Sequence, residues 1–232
     1  MNAFKSRNTV DTSDGKTSVE AIQNEILRRI CFLDYEPGIQ LKEAELAVEF
    51  GVSRTPIRDA IGRIKHLGLV ETRNGVGTVV VTLTPDQIRH VYEMRLQLAG
   101  LIGTMSPREA TGKDLVRITD LLNAAIELEL EFDARAYVEL NDLLQDLIAD
   151  LIGNTLLKSF WRQAYFQAAS TWYRVASLAG SEVALSLVQE LRELKEALER
   201  NDMVAVGLVQ RIHIGYGYQR ITRFLSCRNE ET

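Results

Sequence analysis

The sequence predicts a mainly α fold, an N-terminal winged helix-turn-helix followed by a C-terminal antiparallel six-helix bundle. Three observations predict it. Two helical patterns meet across the short break Gly51-Val52-Ser53. Two β-branched-rich runs then flank Asn74-Gly75. From Pro85 onward, successive segments carry apolar stripes at helical spacing, with short breaks between them.

Residues 1–16 are polar and aperiodic and read as a flexible tail. From Thr17, the positions Val19, Ile22, Ile26, Ile30 and Leu33 recur at helical spacing, predicting a first helix that ends before Pro37-Gly38. A short second helix spans about 42–50 and stops at Gly51, a residue suited to a left-handed helix end. Ser53 is placed to N-cap a third helix, with Pro56 tolerated in its first turn and Ile57, Ile61, Ile64 and Leu67 as its buried stripe. Two strands, 69–73 and 77–83, then fold about an Asn-Gly hairpin turn. Residues 17–83 therefore form one domain. In the second domain, 84–232, helices are predicted near 85–103, 112–131, 133–152, 154–178, 182–200 and 202–226. They are separated at Ser106-Pro107, Gly112, Gly153-Asn154, Gly180-Ser181 and Asn201-Asp202. Long helices with short connections form an antiparallel bundle.

Composition narrows the function classes. The hydrophobic share of 46% and charged share of 25% are those of a globular chain, not a disordered one. The longest uncharged apolar run, Leu96 to Ser106, is too short for a membrane span, and the N-terminus lacks a signal pattern. A cytoplasmic protein without a membrane partner is expected. Cys31 and Cys227 lie at opposite ends in apolar patterns and read as reduced core thiols. The net charge of -5 is unevenly placed: residues 1–83 carry 11 basic and 11 acidic side chains, and the remainder carries the whole deficit. Within 53–65, Arg54, Arg58, Arg63 and Lys65 face only Asp59. That basic stretch is a usable footprint for a polyanion on an acidic protein.

Two arginines at a helix N-terminus oppose the macrodipole, at a cost of about 0.3–1 kcal/mol. On a helix starting at Ser53, Arg54 and Arg58 share one face, with Lys65 two turns along and the apolar stripe opposite. Asp59 and Arg63, spaced i,i+4, have the geometry to pair with each other. An arginine reading guanine O6 and N7 contributes about 1–3 kcal/mol of discrimination, which outweighs the dipole cost. The alternative is a solvated basic face. The short helix before the arginines and the strands after them favour double-stranded DNA.

The stretch "PGIQLKEAELAVEFGVSRTPIRDAIGRIKHLGLVETRNGVGTVVV" resembles the DNA-binding domain of GntR-type bacterial transcription regulators. The helical remainder resembles the ligand-binding FCD domain of the FadR subgroup, in its six-helix, VanR-like form. The resemblance implies a homodimeric repressor or activator that a small metabolite releases from, or retains on, its operator. A repressor is the expectation, on a palindromic operator because one recognition helix presents too few base contacts alone. By the same resemblance, Arg54, Thr55 and Arg58 occupy base- and phosphate-contacting positions, and the wing tip Arg73, Asn74 and Gly75 a minor-groove or backbone position. Ser53 at the helix start and Lys65 on the same basic face complete the expected DNA-binding set.

Many members of this subgroup hold a divalent metal on one Asp and three His. Counting along the helices puts those positions at Asn141, Gln145, Leu191 and His213, so one ligand of four is retained. Amides are poor ligands for zinc or nickel and leucine is none, so no metal cofactor is expected. Tyr137, Asn141, Leu144, Gln145, Ile148 and Ile152 share a helix face, which places two amides on an apolar stripe. Two readings stand: Asn141, Gln145 and His213 hydrogen-bond an organic effector, or they bond one another and buried water. Asp142, Asp146 and Asp150 lie off the stripe and read as a solvated acidic edge. Arg95 occupies the position of a family arginine that faces the cavity, and its planar fork suits the carboxylate of an organic acid. A salt bridge to an acid across the bundle is the other reading. Trp161, Tyr165, Phe166, Trp172 and Tyr173 fall at mixed phases and divide between core and pocket or dimer wall; His66 and His90 read as exposed.

An enzyme would need a nucleophile–base pair, a metal cluster or a phosphate loop, and the sequence shows none of these among its motifs. A non-specific architectural DNA binder would be basic throughout, whereas the pI here is about 5.4. The expected class is a regulator.

Overall fold

The computed structural model describes the backbone of residues 18–229 and side chains as far as Ser226. The predicted tail 1–16 and the Cys227 side chain lie outside the described residues. The chain divides into two compact units between Thr82 and Leu83.

In the first unit, α1 (Val19–Cys31) starts at Ser18, whose hydroxyl accepts the Ala21 N–H at 3.1 Å. Ile22, Ile26 and Ile30 are buried as the stripe requires. The helix stops earlier than its periodicity suggests. Leu33 is not its last apolar turn but a left-handed residue, φ 61°, beyond the end, where the Leu33 and Tyr35 N–H groups turn back onto Ile30 and Arg29 carbonyls. α2 (Glu43–Glu49) closes on Gly51, φ 66°. The Val52 N–H reaches the Ala47 carbonyl and the Gly51 N–H that of Val48, a Schellman end that a Cβ would strain.

α3 (Arg54–His66) buries Ile57, Ala60, Ile61 and Ile64 against α1 and α2. Strands β1 (Val70–Arg73) and β2 (Gly77–Val80) pair antiparallel, with Arg73 opposite Gly77. The connection is the three-residue loop 74–76, not a two-residue Asn-Gly turn. A type I′ turn needs positive φ at both central residues, and Gly75 is left-handed here while Asn74 is not. β2 also ends at Val80 rather than near Leu83. Gln40 bridges Val79, so the α1–α2 connection lies along the outer edge of the wing.

The second unit holds α4 (Pro85–Leu101), α5 (Gly112–Leu130), α6 (Ala134–Leu151), α7 (Thr155–Ala179), α8 (Ser181–Glu199) and α9 (Met203–Asn229). Thr84 and Gln87 form a reciprocal capping box on α4, and Asn154 caps α7. α5 packs on α6 and α8, α4 on α7 and α9, and α6 on α7. The α4–α9 approach is close: a Cβ added to Gly207 would stand 2.6 Å from the Ala99 carbonyl oxygen. The acidic edge of α6 is ion-paired rather than simply solvated. Asp150 binds Arg117 and Lys158 at 3.0 and 3.1 Å, and Asp146 binds Arg162 at 3.2 Å.

Candidate DNA-binding face and effector cavity

The first unit puts the predicted DNA-contacting residues on its exposed surface: Ser53, Arg54, Thr55, Arg58, Lys65, Arg73, Asn74 and Gly75 are all exposed. Ser53 occupies the N-cap position of α3 but its side chain makes no capping bond. The first N–H groups of α3 are thus left without that partner, as at helix ends that receive a phosphate oxygen. Arg58 turns its guanidinium onto Glu43 of α2, Nη2 to Oε2 at 2.9 Å. Arg54 makes no ion pair among the described residues. The expected Asp59–Arg63 pair is also absent there; both side chains stay exposed and apart. Lys65 donates to the Thr72 hydroxyl at 3.0 Å, joining α3 to β1, and Arg73 pairs with Glu71 at 2.8 Å. Gln40 donates to the Val76 carbonyl and ties the α1–α2 connection to the wing loop. Glu43 and Gln40 were outside the sequence reading. Glu43 is a first-turn acid on a short helix, and only the packing of α2 on α3 brings it to Arg58.

In the second unit, Arg95 (α4), Asn141 and Gln145 (α6) and His213 (α9) line one small cavity, of about 50 Å³. The register of three helices brings them together. Arg95 is 8% exposed and lies 5.1 Å from the Tyr92 ring centre and 5.8 Å from that of Tyr165. No carboxylate among the described residues comes within ion-pair range of it, so the alternative of a salt bridge across the bundle is not formed. Asn141 spends its amide N–H₂ on the Tyr137 carbonyl at 2.9 Å, one turn back on its own helix. Gln145 is 8% exposed, and its carbonyl oxygen is buried without a hydrogen-bond partner. His213 Nε2 stands 2.8 Å from Glu193 Oε2, and the ring meets Tyr216 edge-on. The buried amides therefore do not bond one another.

Two further lining residues, Glu190 and Arg220, had no mark in the sequence. Glu190, on α8, accepts from Gln210 Nε2 at 2.7 Å, and burial pushes its carboxyl above the usual range. Arg220 reaches Glu182 at 3.1 Å and the Ser186 hydroxyl at 3.0 Å. Tyr137 and Trp172, with Tyr165, supply aromatic wall. Leu191 is 1% exposed within the core stripe of α8. The donor set at the family's metal positions is thus two amides, a leucine and an imidazole already engaged by Glu193, and it does not fit a transition-metal ion. Among the described residues, no three His, Cys, Asp or Glu side chains are grouped to hold a metal.

A winged helix-turn-helix with a basic recognition helix, joined to a helical domain enclosing a polar cavity, defines a two-part transcription regulator. The chain belongs to the GntR family: the family of bacterial regulatory proteins of that name matches residues 18–80, and the FCD domain matches residues 90–215. The HTH-type transcriptional regulator YdhC of Bacillus subtilis is 23% identical over 211 residues, covering 87% of this chain and 90% of its own length. The gluconate operon transcriptional repressor of the same species is 28% identical over 129 residues, covering 54% of this chain and 51% of its own. Among solved structures, Escherichia coli McbR/YncC superposes with a TM-score of 0.73 at 16% identity, covering 89% of this chain and 98% of that one. A GntR regulator from Rhodococcus sp. RHA1 does so at 0.68 and 17% identity, covering 88% and 97%. The chain is a transcriptional regulator and not an enzyme. No described helix is long and apolar enough to cross a membrane.

Proposed function

We propose that this regulator is a repressor that binds a palindromic operator as a homodimer and answers to a small organic acid in its helical domain. The observation that carries the effector reading is Arg95: a guanidinium buried between two tyrosine rings, facing a cavity, with no carboxylate in ion-pair range. A buried unpaired charge is costly, and a ligand carboxylate offsets that cost through a bidentate fork. Asn141, Gln145 and His213, on the same cavity, orient the acid. No metal takes part: Asn141 and Gln145 are neutral amides, Leu191 offers no donor, and Glu190 with one engaged imidazole is too small a ligand set for a transition-metal ion.

Two observations support a dimer. One recognition helix presents too few base contacts for operator affinity, and two related by a twofold axis read two half-sites. On α9, Val204, Leu208, Ile212 and Tyr216 recur every fourth residue and each is about half exposed, an apolar stripe suited to a second copy. The repressor assignment follows relatives such as the gluconate operon repressor. Cytoplasmic residence accords with this work on DNA.

The test combines two measurements on the full chain. Thermal midpoints are recorded with a panel of small carboxylic acids, and affinity for an operator selected from random duplexes is then measured with each acid that raises the midpoint. An acid that binds one state better shifts both. The reading predicts that Arg95→Gln abolishes both responses; a response undiminished in that variant would contradict it.

A further inference from the structure

Arg95 is not the only charged side chain at the cavity without an ion pair among the described residues. Glu190 lines the same space from α8 and makes no ion pair among the described residues; its one described hydrogen bond is from the neutral amide of Gln210. Arg95 and Glu190 do not pair with each other, although both border a space of only about 50 Å³. Two opposite charges held apart, each facing the same cavity, form two poles.

We propose that the effector is a small zwitterionic α-amino acid, with its carboxylate on Arg95 and its ammonium on Glu190. This rests on the acid-sensing reading above and deepens it. A simple carboxylate satisfies Arg95 but brings a second negative charge toward Glu190, where low dielectric magnifies the repulsion. A zwitterion compensates both poles at once and adds no net charge to the bundle. Gln145 supplies a third feature, since its carbonyl oxygen is buried beside the cavity without a donor. An ammonium carries three N–H donors, enough for Glu190 and Gln145 together, whereas a hydroxyl carries one. Burial raises the Glu190 carboxyl even against the nearby His213 and Arg95 charges, and an ammonium in the cavity would oppose that burial directly. The cavity of about 50 Å³ favours a ligand with a short side chain.

The test is calorimetric titration of the full-length protein with glycine, L-alanine and L-serine, against lactate and propionate, which replace the ammonium of alanine by a hydroxyl and by hydrogen. Alanine should bind at least about tenfold more tightly than lactate or propionate, because an unfilled polar partner in a buried site discriminates strongly. Glu190→Gln should collapse that ratio, and Glu190→Asp should reduce it less. If Glu190→Gln fails to fold, the wild-type comparison decides alone. Lactate or propionate binding as tightly as every amino acid, with the response still abolished by Arg95→Gln, would overturn the zwitterion assignment and leave the acid reading standing. No binding by any carboxylate tested would overturn both.

Discussion

Nη2 of Arg58 stands 2.9 Å from Oε2 of Glu43, so the recognition helix is tied near its N-terminal end to the helix before it. The pair is exposed on the arginine side, where solvent screening leaves such contacts little weight in stability. Its consequence falls on DNA reading. Glu43 offsets a cation set against the helix dipole and holds Arg58 in one direction. Glu43→Gln should leave the thermal midpoint nearly unchanged, raise affinity for scrambled duplex, and lower the ratio of operator to scrambled affinity. Fluorescence anisotropy with both duplexes checks this; an unchanged ratio would assign the pair to folding alone.

Arg73 lies at the base of the wing loop, exposed and paired only to its neighbour Glu71. A phosphate or minor-groove contact by this side chain releases about one counterion. Arg73→Gln should therefore reduce the slope of log affinity against log salt by about one unit, whatever the duplex sequence. An unchanged slope would put the wing off the DNA.

The parts of this molecule readable from its residues are those set by local rules. Gly51 ends α2 because a left-handed position needs it. The stripe of α3 buries Ile57, Ile61 and Ile64 as its spacing predicts, while Leu67, named with them, falls at the helix C-cap and is half-buried. Leu33 misled because periodicity continues past a point where the chain has already turned. The hairpin misled similarly: Asn74-Gly75 carries the signal of a two-residue turn, but the register pairs Arg73 with Gly77 and leaves three residues in the loop. In the cavity, Arg95, Asn141, Gln145 and His213 could be named through the family resemblance and the polar breaks in an apolar stripe. Glu190 could not. It neighbours Leu191 on a helix rich in surface acids, and nothing in a linear reading separates a carboxylate turned inward from one left in water.

The cavity's donor set bears on metal content. Asn141 and Gln145 are neutral and Leu191 offers no donor, so a divalent ion there would meet one lining carboxylate, Glu190, and an imidazole already engaged by Glu193, too few ligands to offset its lost hydration. Protein purified without a tag should carry no stoichiometric zinc or nickel, and chelator should leave its midpoint unchanged. One tightly bound equivalent per chain by elemental analysis would contradict this.

Asp114 anchors the start of α5. It is 3% exposed and accepts bonds from Arg108 at 2.9 and 3.0 Å, the Thr111 N–H at 2.9 Å and the Thr111 hydroxyl at 2.6 Å. Burial alone would raise its carboxyl; these donors outweigh burial and hold it well below the usual range. A carboxyl depressed on folding contributes stability above its unfolded value, near pH 4, and loses it as pH falls below that. Asp114→Asn should cost about 1–3 kcal/mol at pH 7, the scale of charge-assisted bonds at a partly exposed partner. The gap from wild type in urea denaturation should narrow at pH 3. A gap that widens in acid would reverse the sign of this account.

The central claim is that α3 reads DNA through its N-terminal arginines, and Arg58→Ala tests it most directly. Affinity of the variant and the wild type is measured at matched salt for the selected operator and for a scrambled duplex. The account predicts a loss of about 1–3 kcal/mol on the operator and a smaller loss on the scrambled duplex. An Arg58→Ala protein that binds its operator as tightly as wild type would contradict it.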